Sequence, residues 1–271
     1  MKKILAILFL ICAGCHAAEA DPKRIVSLAP SVTRSIYQLG AADSLAGVTI
    51  YCPAMARDKE KIGTVLEPNI EKIVALRPDL VIATKEGNRP ETVRRINELG
   101  IPVYVMDSFD NFEAICDGFL ALGKRIGRQD QAYAIVEQSR RRVEQIRKKA
   151  KTQKPARVFW EVGAQPLFTV SRHSFVNDFI EIAGGTNIFG GLANRYPQVS
   201  REAVLRANPD VIILVAMGDV TEKETKLWKN FKTLSASRTG KIVTLSNTVF
   251  TDPAPASFAD GLEIISRILR E

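Results

Sequence analysis

Apolar and polar positions alternate in blocks along this chain. Ile25-Val26-Ser27-Leu28 is a short β-type run, and Val32 to Leu39 follows with helical spacing until Gly40 stops it. Asp79-Leu80-Val81-Ile82-Ala83 reads as a buried strand, and Thr92 to Leu99 as a helix ended by Gly100. Pro102 to Met106 is a further strand, and Asn111 to Ile126 a helix ended by Gly127. Strands alternating with helices predict an α/β lobe around a mainly parallel sheet.

Residues 129–151 have a different texture. Ala132, Val136, Ser139, Val143, Ile146 and Ala150 recur at spacings of four and three, with charged or polar positions between them. That is one long helix with a narrow apolar seam, roughly 33 Å long at about 1.5 Å per residue. Lys154-Pro155 ends it, and the α/β pattern restarts at Arg157-Val158-Phe159-Trp160. Strands follow at 211–215 and 241–245, with helices at 173–183, 200–207, 221–229 and 257–270. The reading is lobe, stiff strut, lobe: residues 21–127, 128–154 and 155–271.

The second lobe repeats part of the first. Glu71 is followed seven residues later by Pro78, Asp79 and an apolar strand; Glu202 is followed in the same way by Pro209, Asp210 and an apolar strand. Asn69 and Ser200 stand as N-caps, which puts each glutamate at the second helical position. An acidic side chain there complements the helix dipole. Two matching carboxylates, one per lobe, also suit a symmetric basic partner. The two readings are compatible.

The first twenty residues read as a secretory signal rather than as part of the fold. Lys2 and Lys3 precede the apolar run Ile4 to Cys12, and Ala18 and Ala20 make a small-residue cleavage site. The run is shorter than the roughly 20 residues that span a bilayer. Ala13-Gly14-Cys15 resembles the end of a lipoprotein cleavage box, so Cys15 is a candidate lipid anchor. Of the other two cysteines, Cys52 and Cys116, both lie in the first lobe, where an oxidising compartment allows a disulfide. The formal charge is +8, with Lys and Arg scattered. The runs Arg140-Arg141-Arg142 and Arg147-Lys148-Lys149 read as a solvated helix face, and no nucleic-acid partner is expected. His173 stands alone after residue 20, which argues against a metal-capture site. G-x-S-x-G, H-E-x-x-H and G-x-G-x-x-G are absent, and Arg125 breaks a near P-loop at Gly118–Arg125. No catalysis and no resident cofactor are expected.

The segments Glu71 to Ala83 and Tyr196 to Glu202, with Asn187-Ile188-Phe189 before the second, resemble the periplasmic cobalamin-binding proteins of ABC importers. The likeness runs from about Arg24 to the C-terminal helix. It implies two Rossmann-like α/β lobes joined by a single long α-helix, the class III periplasmic binding architecture. It implies a monomer in the periplasm, a corrinoid (cobalamin or cobinamide) held between the lobes, and delivery to a permease dimer with its ATPase subunits. Glu71 and Glu202 match the two glutamates by which that family docks on permease arginines.

In such a fold the ligand meets loops at strand ends. The candidate contacts are Ser31, Tyr51, Val65, Lys85, Phe168, Tyr196, Thr251 and Asp252. Tyr51, Phe168 and Tyr196 stand where the family keeps aromatic contacts, whereas Val65 and Thr84 replace tryptophans. Those departures leave a rival of the same fold, a ferric siderophore- or haem-binding protein. Lys85, Arg172 or Arg195 would face an anionic chelate, and Tyr51 or Tyr196 would serve as a haem ligand.

Overall fold

Every apolar run that reads as a strand finds a neighbour in the computed structural model, which describes residues 21–151, 154–216, 220–251 and 253–270. The first sheet holds β1 (Ile25–Ser27), β2 (Leu45–Val48), β3 (Glu60–Lys61), β4 (Leu80–Thr84) and β5 (Val103–Met106). Its order is β3-β2-β1-β4-β5, and all pairs are parallel. The crossovers carry α1 (Pro30–Gln38), α2 (Ile70–Ala75) and α3 (Pro90–Glu98), and α4 (Phe112–Arg125) follows β5. β4 shows why both faces are covered. Leu80 and Ile82 enter one core cluster, while Val81 enters another, as period-two geometry requires.

The strut is α5 (Gln129–Ala150), 22 residues long. Its buried positions are Ala132, Val136, Ser139, Val143, Ile146 and Ala150, the seam set out by spacing. It packs on α4 and on the C-terminal helix. Gly123 of α4 permits the close approach, since a Cβ there would lie 2.4 Å from the Ala132 Cβ. The arginine run is not wholly a solvated face. Arg140 reaches Glu113 on α4 at 2.7 Å, and Arg142 reaches Asp260 at 2.6 Å. Two of the three arginines therefore tie the strut to its neighbours.

After the strut come β6 (Ala156–Ala164), β7 (Leu167–Thr169), α6 (Val176–Ile182), β8 (Gly185–Asn187), α7 (Arg201–Ala207) and β9 (Val211–Ala216). The chain ends with α8 (Val220–Asn230), α9 (Ser235–Thr239), β10 (Ile242–Ser246), α10 (Asn247–Phe250) and α11 (Pro255–Arg270). The sheet order is β10-β9-β6-β7, with β8 paired to the start of β6. All pairs are parallel except β6 with β7. The helix expected from 173 starts at Val176, because Ser171 and Ser174 close a turn first. The Ser171 carbonyl accepts from the Ser174 N–H at 3.2 Å, and the Ser174 hydroxyl accepts from the Val176 N–H at 3.3 Å.

The internal repeat extends to its hydrogen bonds. In the first lobe Asp79 Oδ2 accepts from the Arg24 N–H at 2.9 Å, and the Arg24 guanidinium donates to the Leu76 carbonyl at 2.8 Å. In the second, Asp210 Oδ2 accepts from the Arg157 N–H at 2.9 Å, and the Arg157 guanidinium donates to the Ala207 carbonyl at 2.7 Å. Arg77 and Asn208, each just before the proline, adopt left-handed conformations with φ of 47° and 43°. Each knot fastens the C-terminal end of a short helix to the first strand of its lobe, satisfying carbonyls that a helix end leaves open.

The largest apolar cluster joins both lobes along the strut. It includes Ile25, Ile82, Phe112, Val136, Trp160, Phe179 and Phe258. Phe258 of α11 stacks on Phe179 at 4.3 Å and meets Phe112 of α4 at 4.8 Å, a bridge of rings across the junction. A continuous core and a single helical strut resist wide hinge bending. The disulfide considered above does not form, because both cysteines are free. Cys116 is buried in α4, whereas the Cys52 sulfur lies 3.0 Å from the Thr33 hydroxyl and 3.2 Å from that of Thr49. Burial pushes the Cys116 thiol up to about 12. The signal segment, with Ala18, Ala20 and Cys15, lies outside the described residues, as does Asp252.

Candidate ligand-binding cleft

The strands of a parallel sheet deliver their carboxyl ends, and the loops that follow, to one edge. Here the two sheets bring those edges to a shared cleft of about 460 Å³. The first lobe contributes Ala29-Pro30-Ser31 after β1, Val65, Thr84, Glu86 and Gly87 at the end of β4, and Met106, Asp107 and Phe109 at the end of β5. The second contributes Trp160 and Val162 of β6, Val215 of β9, Phe175, Tyr196, Phe250 and Thr251. Most of this wall is apolar.

Two buried asparagines hold the loops. Asn88 donates to the Leu28 carbonyl at 3.1 Å and the Val65 carbonyl at 2.8 Å, while its Oδ1 accepts from the Thr84 N–H at 2.8 Å. One side chain thus ties three loops of the first lobe. Asn187 donates to the Val170 carbonyl at 3.0 Å and accepts from the Phe189 N–H at 3.0 Å. Backbone bonds from Thr169 to Pro197 and from Ser171 to Arg195 then hold the Arg195–Pro197 loop at the cleft.

The charged side chains in the lining are carboxylates, each with a cation beside it. Glu86 and Asp107 line the cleft, and no Lys, Arg or His does so among the described residues. Lys85 points outward and pairs with Asp107 at 3.0 Å. Arg172 donates to the Gly190 carbonyl at 3.1 Å. Arg195 crosses between the lobes and forms ion pairs with both Glu86 and Asp110. The three basic residues named for an anionic chelate are therefore already partnered, two of them by the carboxylates of the cleft itself. Tyr196 is 40% exposed, but its hydroxyl end sits against Ser174, Glu86 and Arg195, and burial pushes that hydroxyl above the ordinary phenol range. No group of three or more His, Cys, Asp or Glu that could hold a metal ion occurs among the described residues.

Of the expected contacts, Ser31, Val65, Tyr196 and Thr251 line the cleft. Tyr51 stands 63% exposed and is not part of the wall. Lys85 lies outside it, and Phe168 packs across from Gly163 in the β6–β7 pair. Trp160, Phe175 and Phe109 belong to the wall and were not singled out as site residues by sequence. Trp160 reads locally as one more strand residue, and only the placement of β6 turns it toward the cleft.

Glu71 and Glu202 are both exposed at the second position of α2 and α7. Asn69 Oδ1 accepts from the Lys72 N–H at 2.9 Å, and Ser200 Oγ accepts from the Ala203 N–H at 3.2 Å, so both N-caps form as expected. The backbone N–H of Glu202, then the Ser200 hydroxyl, hold the Glu202 carboxyl below the usual range. Behind Glu202 lies a buried polar group. Arg201 donates to Glu224 at 2.9 Å and covers the Trp228 ring at 5.2 Å, and the Trp228 N–H donates to Glu161 at 2.7 Å. The single arginine is committed to Glu224. Burial then pushes Glu161 up to about 7, opposed by the Trp228 hydrogen bond and reinforced by Glu224.

A sequence profile described as "Periplasmic binding protein" matches residues 25–248. The chain belongs to this family. Among its relatives is the vitamin B12-binding protein of Yersinia pseudotuberculosis serotype O:1b (strain IP 31758), 31% identical over 227 residues, which cover 83% of this chain and 79% of that one. The periplasmic vitamin B12 binding protein BtuF of Vibrio cholerae superposes with a TM-score of 0.79 at 28% identity, over 92% of this chain and 97% of that one. The periplasmic heme-binding protein RhuT from Roseiflexus sp. RS-1 superposes with a TM-score of 0.80 at 22% identity, over 91% and 97%. Solved structures named for different ligands thus share this fold, and the fold alone does not select the ligand.

Proposed function

We propose that the protein captures a corrinoid, cobalamin or cobinamide, in the interlobe cleft and delivers it to an ABC importer. The observation that carries this reading is the chemistry of the wall: broad apolar surface, short polar groups and, among the described residues, two carboxylates already paired with cations and no basic side chain in the lining. A corrin ring offers a wide, partly apolar face and amide arms, which such a wall can meet. Haem propionates or a ferric siderophore would have to displace the pairs that Arg195 and Lys85, the cations named for such a chelate, already make with Glu86 and Asp107. The resemblance to vitamin B12-binding proteins points to the same ligand.

The lobes 21–127 and 155–271 act about the strut 128–154, with closure small in amplitude. Glu71 and Glu202, displayed at equivalent helix tips, would dock on basic side chains of the permease dimer, whose ATPase subunits drive uptake. Residues 1–20 serve export to the periplasm, with Cys15 as the candidate anchor. Calorimetric titration with cyanocobalamin, dicyanocobinamide and haemin tests the ligand. Near-stoichiometric heat with a corrinoid supports the reading, and binding of haemin alone replaces it with the haem alternative.

A further inference from the structure

The edge of the second sheet that lies away from the cleft carries an unbalanced charge. Strands β6, β9 and β10 are adjacent and parallel, so the segments that enter them, 154–157, 206–210 and 232–241, meet along one edge. Hydrogen bonds join the three. The Asp210 N–H donates to the Arg157 carbonyl at 2.8 Å, the Ala236 N–H to the Pro209 carbonyl at 3.1 Å, and the Ser235 N–H to Asn208 Oδ1 at 2.8 Å. These segments hold Lys154, Arg157, Arg206, Lys232, Arg238 and Lys241, and Asp210 is their one acidic residue. Asp210 is already engaged by the Arg157 N–H. Lys241 is half-buried and the other five cations are exposed.

Elsewhere cations meet carboxylates, as Lys72 meets Glu60, Lys85 meets Asp107 and Arg142 meets Asp260. None of the six has an ion-pair partner among the described residues. Helix dipoles account for part of this. Arg206 and Arg238 stand in the last turns of α7 and α9, where a cation is favoured. Lys154, Arg157, Lys232 and Lys241 lie outside helices and owe nothing to a dipole. Six like charges held along one edge repel one another until an anionic surface meets them.

We propose that this edge of the second lobe rests on an anionic lipid headgroup surface. Lysine and arginine near such a surface are attracted without needing a shaped pocket. The choice of lipid rests on the export reading of residues 1–20, whereas the patch itself is independent of it and of the ligand. Since the cleft receives the carboxyl ends of the strands, adhesion through their starts leaves the ligand site uncovered. A weak hold of this kind would keep the carrier close to a membrane-embedded importer between deliveries.

Cosedimentation with vesicles of phosphatidylcholine alone, and of phosphatidylcholine mixed with phosphatidylglycerol, tests the contact. An apolar leader or a lipid at Cys15 would add equally to both, so the difference between them reports charge. Wild type should prefer the anionic vesicles, and the preference should vanish as salt rises from about 0.05 to about 0.5 M. K154E with K232E should weaken anionic-vesicle binding about 10-fold or more. K23E with K124E, an equal charge change on the first lobe, should weaken it about 2-fold or less. Should K154E with K232E fail to fold, R206Q with R238Q takes its place. Equal binding to both vesicle types overturns the proposal, as does an equal loss from the first-lobe variant, which would make the effect one of net charge. Binding to polyglutamate without binding to anionic vesicles also overturns it, in favour of an acidic protein partner.

Discussion

Glu161 offers a test of the second lobe's interior that does not depend on any ligand. It is 4% exposed, its nearest partner is the neutral Trp228 donor, and the arginine within reach is already bound to Glu224. Glu224 on α8 adds a second negative charge, so protonation of Glu161 relieves both desolvation and repulsion. A carboxyl at about 7 in the folded protein and 4.5 when unfolded keeps a proton that the unfolded chain gives up between those values. This site's contribution to stability is full below about pH 4.5 and is lost as pH rises to about 7. The whole change corresponds to about 3 kcal/mol, of which about 2–3 kcal/mol falls between pH 5 and pH 8. Glu161→Gln keeps an acceptor for Trp228 and cannot ionise. Urea denaturation of both proteins at pH 5, 6, 7 and 8 should show wild type losing stability relative to the variant by that amount. A stability gap that stays constant across the series, or that widens toward acid, would refute a protonated buried Glu161.

Glu71→Ala with Glu202→Ala should leave corrinoid affinity and the folding midpoint almost unchanged but abolish uptake by vesicles carrying the permease; normal uptake would remove the docking role. Arg195→Ala severs the ion pairs to Glu86 and Asp110 across the cleft, and stopped-flow traces should show ligand release about 2- to 10-fold faster. Wild-type release should accelerate with added salt while the variant's does not, and identical salt dependence would show that Arg195 is no latch. Cys116 should resist alkylation at pH 8 until the protein is unfolded, whereas half-buried Cys52 reacts first. Failure of both to alkylate in unfolded, unreduced protein would mean that they are joined after all.

Much of the architecture is local and can be read from spacing. The seam of α5 follows from the 3.6-residue turn, because residues three and four apart share a face wherever that face is buried. Asn69 and Ser200 act as caps through their own neighbouring N–H groups, and Pro78-Asp79 and Pro209-Asp210 mark helix ends and strand starts. The strands β2, β3 and β8 escape the same reading because they are short, and contain Gly47, Glu60-Lys61 and Gly185-Thr186-Asn187 rather than an apolar run. Their pairing is decided by the neighbours they dock against.

The cleft belongs to that second kind of information. Arg195 meets Glu86 and Asp110 from 109 and 85 residues away, and no pattern along the chain announces the pairing. Trp160 and Glu161 are adjacent in one strand, yet alternation sends one ring to the cleft and the other carboxyl to a closed pocket against Trp228. The sequence by itself determined the lobes, the strut and the two acidic helix tips, because backbone geometry makes those features periodic. Only the tertiary structure decided which side chains face the ligand and which are stranded without a partner, because burial and contact there depend on surfaces brought together from distant parts of the chain.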